Sequence, residues 1–327
     1  MILNIHLLHK PEDDVLALLK SLLDPAVQVT VGEVMADTAV PHILVSGRPK
    51  REHLINNPNL HTLIIPWAGI PKETYQLMQE FPHIAVHNLH HNAQPVAEMV
   101  LTLLMAAAKL AIPFDQSLRQ HDWTPRYERG RDPQLLSGKT ALILGYGAIG
   151  KRVGLLCRTL EMQVLATRRH LPEPVSDRVA EIYPAASLPA LLPQANALLI
   201  CLPQTPQTEG LIGEHELNLL PEKAILVNIG RGPIVDERAL YEALKNGNLH
   251  AAGLDVWYNY PKDAASRTNT PPSSYPFHEL GNVVMSPHRG GAVDETDRLR
   301  MTELAKVLNT AVRGETLPNR VNLDNGY

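Results

Sequence analysis

Cysteine is scarce in this chain. Its 327 residues include only Cys157 and Cys201, both in apolar segments and neither with a partner at C-x-x-C spacing. That pattern excludes a disulfide framework and suits reduced thiols in a cytoplasmic compartment. A charge excess is missing too. Lys and Arg total 30 against 34 Asp and Glu, a net charge of -4. Nothing therefore draws the chain as a whole toward nucleic acid or an anionic membrane. Long hydrophobic runs are also absent. The longest, Met99 to Ala108, ends at Lys109 and is too short to span a bilayer, so it reads as a buried helix. The apolar segment Met1 to Leu8 has neither a basic leader nor a small-residue cleavage site and reads as a first strand. No internal repeat is visible. What is present is an ordinary globular composition, 44% hydrophobic and 20% charged, at a length that suggests two domains.

Short apolar runs alternate with helical patterns, the rhythm of a parallel α/β fold. The first series predicts strands at residues 2–8, 27–31, 42–45, 62–65 and 84–87, with helices at 12–23 and 72–80 between them. That is enough for a small doubly wound, flavodoxin-like unit. A long apolar helix over 94–110 follows, with Pro95 in its first turn, where a missing N–H costs nothing. Residues 121–133 are polar and aromatic without periodicity. A second series predicts six strands, at 140–144, 163–167, 197–202, 224–229, 251–256 and 282–285, enough for a Rossmann sheet. The last helix, 295–312, has only the first series to join. The expected architecture is a Rossmann dinucleotide-binding domain (95–289) inserted in a discontinuous substrate domain (1–94 plus 290–327), with the active cleft between them. Residues 261–276, rich in Pro, Ser, Thr and Asn, read as a loop or lid.

Gly145-Tyr146-Gly147-Ala148-Ile149-Gly150 follows a predicted strand and opens a predicted helix. In that context G-x-G-x-x-G is a dinucleotide fingerprint. Gly145 permits the turn, Gly147 lets backbone approach a pyrophosphate, and Gly150 lets helix and strand pack closely. The helix start offers free N–H groups and partial positive charge. At the end of the next strand an NAD-binding chain usually has an acid for the ribose hydroxyls. Here Thr167, Arg168 and Arg169 stand instead. An acid repels a 2′-phosphate and guanidinium binds it, so NADP is expected over NAD.

Further motifs in the same order resemble the D-isomer-specific 2-hydroxyacid dehydrogenases, in particular their NADP-type glyoxylate/hydroxypyruvate reductases. Val227-Asn-Ile229-Gly230-Arg231-Gly-Pro-Ile-Val-Asp236 is similar to the family's arginine motif, Ala252-Gly-Leu-Asp255-Val to its next strand, and Ser286-Pro-His288-Arg-Gly-Gly to its catalytic histidine segment. Cys201-Leu202-Pro203-Gln-Thr205-Pro-Gln-Thr208 resembles the loop that lines the cofactor. Pro66-Trp67-Ala68-Gly69-Ile70 resembles the loop whose backbone holds the substrate carboxylate. The tail 319–327 is similar as well. The resemblance implies an NADP(H)-dependent oxidoreductase acting on a small 2-keto or 2-hydroxy acid. It implies that Arg231 grips the carboxylate and polarises the ketone, that His288 gives up the proton, and that Asp255 lies near the nicotinamide amide. The chemistry asks for these residue types independently: a planar cation for two oxygens, and an acid titrating near neutrality. Trp67 reads equally as a pocket wall or as core, and Asp236 as a helix N-cap.

One position departs from the family. Its Glu partner for the histidine is here Tyr260. A phenol hydrogen-bonds without supplying charge, so reduction is expected to fade toward neutral pH. Glu279 is a second candidate partner. The departure also leaves open a catalytically weak, dinucleotide-binding regulatory protein of the same fold. His87, His90 and His91 read as a polar hinge or cleft lining, with no metal expected. The apolar helix after Pro95 suggests a homodimer with that helix at its interface.

Overall fold

The computed structural model describes residues 2–33, 40–55, 57–128, 130 and 132–323. The last four residues of the tail, 324–327, lie outside the described residues. The chain divides into two compact units, Met1–Asn92 with Ala292–Tyr327, and Ala93–Gly291.

The first unit holds β1 (Leu3–Leu7), α1 (Asp13–Leu22), β2 (Val27–Val31), β3 (Ile43–Val45), α2 (Arg51–Ile55), β4 (Thr62–Ile65), α3 (Lys72–Met78) and β5 (Ala85–Asn88). Its five strands are parallel in the order β2-β1-β3-β4-β5, the flavodoxin-like arrangement. β3 and β4 are buried along their whole length, as continuous apolar strands in a parallel sheet must be. The helix Thr296–Val312 joins this unit against α1. Its Met301, Leu304 and Leu308 share one core with Ile5, Leu7, Val15 and Leu19.

The second unit begins with α4 (Ala93–Lys109), α5 (Ala111–Arg119) and α6 (Thr124–Tyr127). The sheet segment follows: β6 (Thr140–Leu144), α7 (Ala148–Thr159), β7 (Gln163–Arg168), β8 (Val175–Ser176), β9 (Glu181–Pro184), α8 (Leu188–Leu191), β10 (Ala197–Ile200), α9 (Glu214–Leu219), β11 (Ala224–Asn228), α10 (Glu237–Lys245), β12 (Leu249–Leu254) and β13 (Val283–Met285). The strand order is β13-β12-β11-β10-β6-β7-β9-β8. Counted from β6, the inner strands follow the 3-2-1-4-5-6 winding of a Rossmann sheet. The sheet has eight strands where six were expected. β9 was missed, and a short antiparallel edge, β8, pairs with it. Asp236 caps α10 as expected, accepting from Ala239 N–H at 2.8 Å.

The structure corrects the reasoning about α4. Its apolar face is covered within its own unit, where Val96, Val100, Leu103 and Leu104 join the sheet core and pack toward α7, β11 and β12. The exposed apolar side chains come later, at Ile112, Leu118, Trp123, Tyr127 and Leu135. Within residues 121–133, where the sequence showed no periodicity, Thr124–Tyr127 makes a short helix. Among the described residues no single helix is long and apolar enough to cross a membrane.

Candidate active site

β6 and β10 are neighbours whose crossovers run in opposite directions, and ligands bind such sheets at the carboxyl ends of these strands. The glycine turn leaves β6 here. Gly145 has φ +94, which L side chains rarely adopt. The N–H groups of Gly145 and Tyr146 both donate to Thr167 O at the end of β7. Gly150 lies under the turn, and a Cβ there would sit 2.1 Å from Gly145 O. In front of Gly147 no atom lies within 4 Å of the place a Cβ would occupy. Gly147 is the N-cap of α7, so the N–H groups of Ala148, Ile149 and Gly150 have no partner within the helix. An open space walled by free donors and a helix dipole fits a pyrophosphate.

The flanking residues take distinct positions. Thr167 is buried, whereas Arg168 and Arg169 are exposed. Arg169 Nε donates to His170, and no carboxylate pairs with Arg168 among the described residues. Tyr146 is turned into the core, with its hydroxyl donating to Asp177, so only its backbone faces the turn. Thr208 ties its own loop, donating to Pro203 O at 2.7 Å and accepting from Thr205 N–H. Leu202 is drawn to both glycine segments. Its side chain lies 3.1 Å from the Cβ position of Gly145, and its carbonyl lies 2.4 Å from that of Gly230. Gly230 leads directly into Arg231, next to buried Ile229.

Arg231 Nη1 donates to Gly230 O at 2.7 Å, and no carboxylate pairs with it among the described residues. An unpaired guanidinium is free for an anionic ligand. His288 lies within reach of that charge. Although His288 is exposed, the protein around its ring disfavours the imidazolium, and Arg231 lowers its pKa further below the ordinary histidine value, with Asp255 opposing. His288 also holds left-handed backbone at φ +58, a conformation that histidine tolerates better than most residues.

Asp255 keeps that loop in place. Only 2% exposed, its Oδ1 accepts from Ser286 Oγ and from Arg289 N–H at 2.9 Å, and its Oδ2 accepts from Gly290 N–H at 3.0 Å. The carboxylate expected beside the nicotinamide amide is thus largely occupied in anchoring the histidine segment. Trp257 adds a second brace, donating through Nε1 to Ser286 O at 2.8 Å. The sequence reading missed this tryptophan. The signal was a buried indole N–H that needs an acceptor.

Tyr260 reaches His288. Its hydroxyl lies 3.0 Å from Nδ1 and also accepts from Trp257 N–H at 3.2 Å. Burial raises the phenol's pKa, against the lowering influence of Trp257 N–H and Arg231. Glu279, the other candidate partner, lies beside His278 instead.

In the first unit the loop 66–70 is braced from two sides. Asn88 Nδ2 donates to Ala68 O at 2.6 Å, and the Trp67 ring fills the space where Gly47 would carry a side chain. The N–H groups of Trp67, Ala68 and Gly69 find no acceptor among the described residues. Nearby, Asn88 Oδ1, His90 Nε2, His91 Nδ1 and Asn92 Oδ1 are buried without hydrogen-bond partners, and His87 pairs with Pro318 O at 2.7 Å. Among the described residues no three His, Cys, Asp or Glu side chains converge as metal ligands.

Residues 101–290 match the family model described as D-isomer specific 2-hydroxyacid dehydrogenase, NAD binding domain. The chain belongs to the D-isomer-specific 2-hydroxyacid dehydrogenases. Among its curated relatives in that family is the D-3-phosphoglycerate dehydrogenase of Methanocaldococcus jannaschii, 31% identical over 230 residues, which are 70% of this chain and 41% of that protein. Another is the glyoxylate reductase of Aeropyrum pernix, 37% identical over 235 residues, 70% of this chain and 66% of that protein. The chain therefore matches less than two thirds of either relative's length. The fold is shared over the full chain with a D-isomer specific 2-hydroxyacid dehydrogenase from Xanthobacter autotrophicus Py2, solved with NADPH and MES. The TM-score is 0.80 at 23% identity, covering 100% of both chains. It is shared also with the NADPH-dependent glyoxylate/hydroxypyruvate reductase of Sinorhizobium meliloti, solved with NADP and sulfate. There the TM-score is 0.77 at 19% identity, covering 99% of this chain and 100% of that one.

Proposed function

We propose that this family member is an NADP(H)-dependent reductase of a small 2-keto acid. The observation that carries the proposal is the unpaired Arg231 guanidinium, close enough to His288 for its charge to lower the imidazole's pKa. Arg231 grips the keto-acid carboxylate and polarises the ketone, and His288 delivers the proton that the developing alkoxide requires. In the first unit, the free N–H groups of Trp67, Ala68 and Gly69 are proposed carboxylate donors. The Gly145–Gly150 turn and the start of α7 hold the dinucleotide, with Arg168 and Arg169 facing a 2′-phosphate. Bound there, the nicotinamide supplies the hydride. The backbone at Leu202, Pro203, Ile229 and Gly230 lines its path, and Asp255 places the histidine loop beside it.

NADPH consumption against a panel of 2-keto acids, glyoxylate and hydroxypyruvate included, tests this. Turnover that disappears in Arg231→Ala is the expected result. Silence across the panel with tight NADPH binding would favour the regulatory reading that the missing glutamate raises. We also propose a cytoplasmic homodimer, its interface formed by the exposed apolar side chains of α5, α6 and Leu135. A 36.1 kDa species in sedimentation equilibrium would refute the dimer.

A further inference from the structure

Tyr260 is the residue of this site that the family's chemistry does not account for. Its oxygen accepts the Trp257 N–H at 3.2 Å, which commits one lone pair. Its own proton then has a ready acceptor in Nδ1 of His288, 3.0 Å away. A phenol that donates there selects the neutral tautomer of His288 that carries its proton on Nε2 and accepts at Nδ1.

A neutral imidazole is a poor acid alone, because losing the Nε2 proton leaves an imidazolate. It becomes a competent acid when a second proton reaches Nδ1 as the first departs. We propose that Tyr260 supplies that second proton, making His288 and Tyr260 a two-proton relay to the substrate oxygen. The inference rests on the proposed keto-acid reduction. In the balanced step the carbonyl carbon gains a hydride from the reduced dinucleotide, and the carbonyl oxygen gains the Nε2 proton. Nδ1 gains the phenolic proton, so the imidazole ends neutral and Tyr260 ends as a phenolate. The negative charge moves from an alkoxide to a far weaker base, since a phenol titrates near about 10.

Burial and Asp255 disfavour the phenolate, so it is transient; Trp257 N–H and the new Nδ1–H both donate to it, and the Arg231 charge favours it. Tyr260 is 45% exposed. It also lines an open pocket of about 840 Å³ whose other titratable walls are Tyr258, Lys262, Asp263, Tyr275 and His278. After product leaves, one proton from solvent enters at Nε2 of exposed His288, and the Nδ1 proton returns to the phenolate. The fade toward neutral pH expected from the sequence assumed a phenol that only hydrogen-bonds. The relay replaces that expectation with activity that persists while the imidazole is neutral.

Tyr260→Phe keeps the ring and removes only the hydroxyl. The test compares the pH dependence of kcat with NADPH and the responsive keto acid, alongside ¹⁵N spectra of the His288 ring, in wild type and variant. In wild type, the expected outcome is a kcat that stays level as the imidazole deprotonates and an Nδ1 signal of the accepting type. In Tyr260→Phe, kcat at neutral imidazole is expected to fall on the order of 10²-fold and to track the imidazolium, with the Nε2–H preference reduced in the spectra. An active enzyme whose Tyr260→Phe variant keeps both kcat and profile overturns the relay alone. So does a wild-type spectrum with the proton on Nδ1. A wild-type protein that reduces no keto acid overturns the functional reading, and the relay with it.

Discussion

Replacing Asp255 by Asn tests whether one buried carboxylate holds the histidine segment. The carboxylate accepts three hydrogen bonds, from Ser286 Oγ, Arg289 N–H and Gly290 N–H. An asparagine oriented to keep its oxygen toward Ser286 and Arg289 presents its NH₂ to Gly290 N–H, donor against donor. Gly290 is itself buried, and a Cβ there would lie 2.8 Å from Asp255 Oδ2, so the backbone has little room to turn away. One charge-assisted bond is lost, at about 1.5–3 kcal/mol, and a buried donor is left unsatisfied, at about 1–3 kcal/mol. Relief from desolvating a charge offsets part of this. A net cost of about 3 kcal/mol corresponds to roughly 6–12 °C in the melting temperature of a unit this size. Differential scanning calorimetry reads the transition, and the His288 ring signals report whether the loop loosens with it. An Asp255→Asn protein that melts with the wild type and keeps the His288 environment would refute this account.

The remaining predictions concern charge. His91 is pushed down to about 4, first by burial and then by Arg300, from an ordinary 6.5. Because its folded-state pKa is the lower one, the unfolded chain binds more protons between those values. Stability is therefore full above pH 6.5 and declines as pH falls toward about 4. His91→Gln should flatten that decline in urea midpoints measured across the range, and an unchanged slope would remove His91 as the cause. Arg168→Asp should weaken NADPH binding by about 10- to 100-fold, the loss of a charge-assisted bond, and favour NADH. Equal NADPH titrations for variant and wild type would show that Arg168 does not meet the 2′-phosphate.

The sequence disclosed most where local chemistry and local spacing coincide. The glycine turn was legible because a strand, three glycines and a helix fall within a few residues of one another. β9 was not, because Glu181–Pro184 is short, ends in proline and buries a single residue fully. β10 was read two residues too long, since Cys201 and Leu202 continue its apolar run while Pro203 already belongs to the loop. Asp255 was seen, but its occupation was not, because its three donors lie 31 to 35 residues further along the chain. Tyr146 lay in the right motif, yet its side chain belongs to the core, because Asp177 offers its hydroxyl a partner there.

The placement of the last helix bears on how the molecule is made. Met301, Leu304, Ala305, Val307 and Leu308 complete an interior whose other walls are drawn from the first 92 residues. Residues 93–291 are translated before that helix appears, roughly 10–40 s at about 5–20 residues per second. Throughout that interval Ile5, Val15 and Leu19 lack their cover, whereas every strand of the Rossmann sheet is made before that helix begins. The nascent N-terminal segment is thus the stretch for which a ribosome-associated chaperone has most to do.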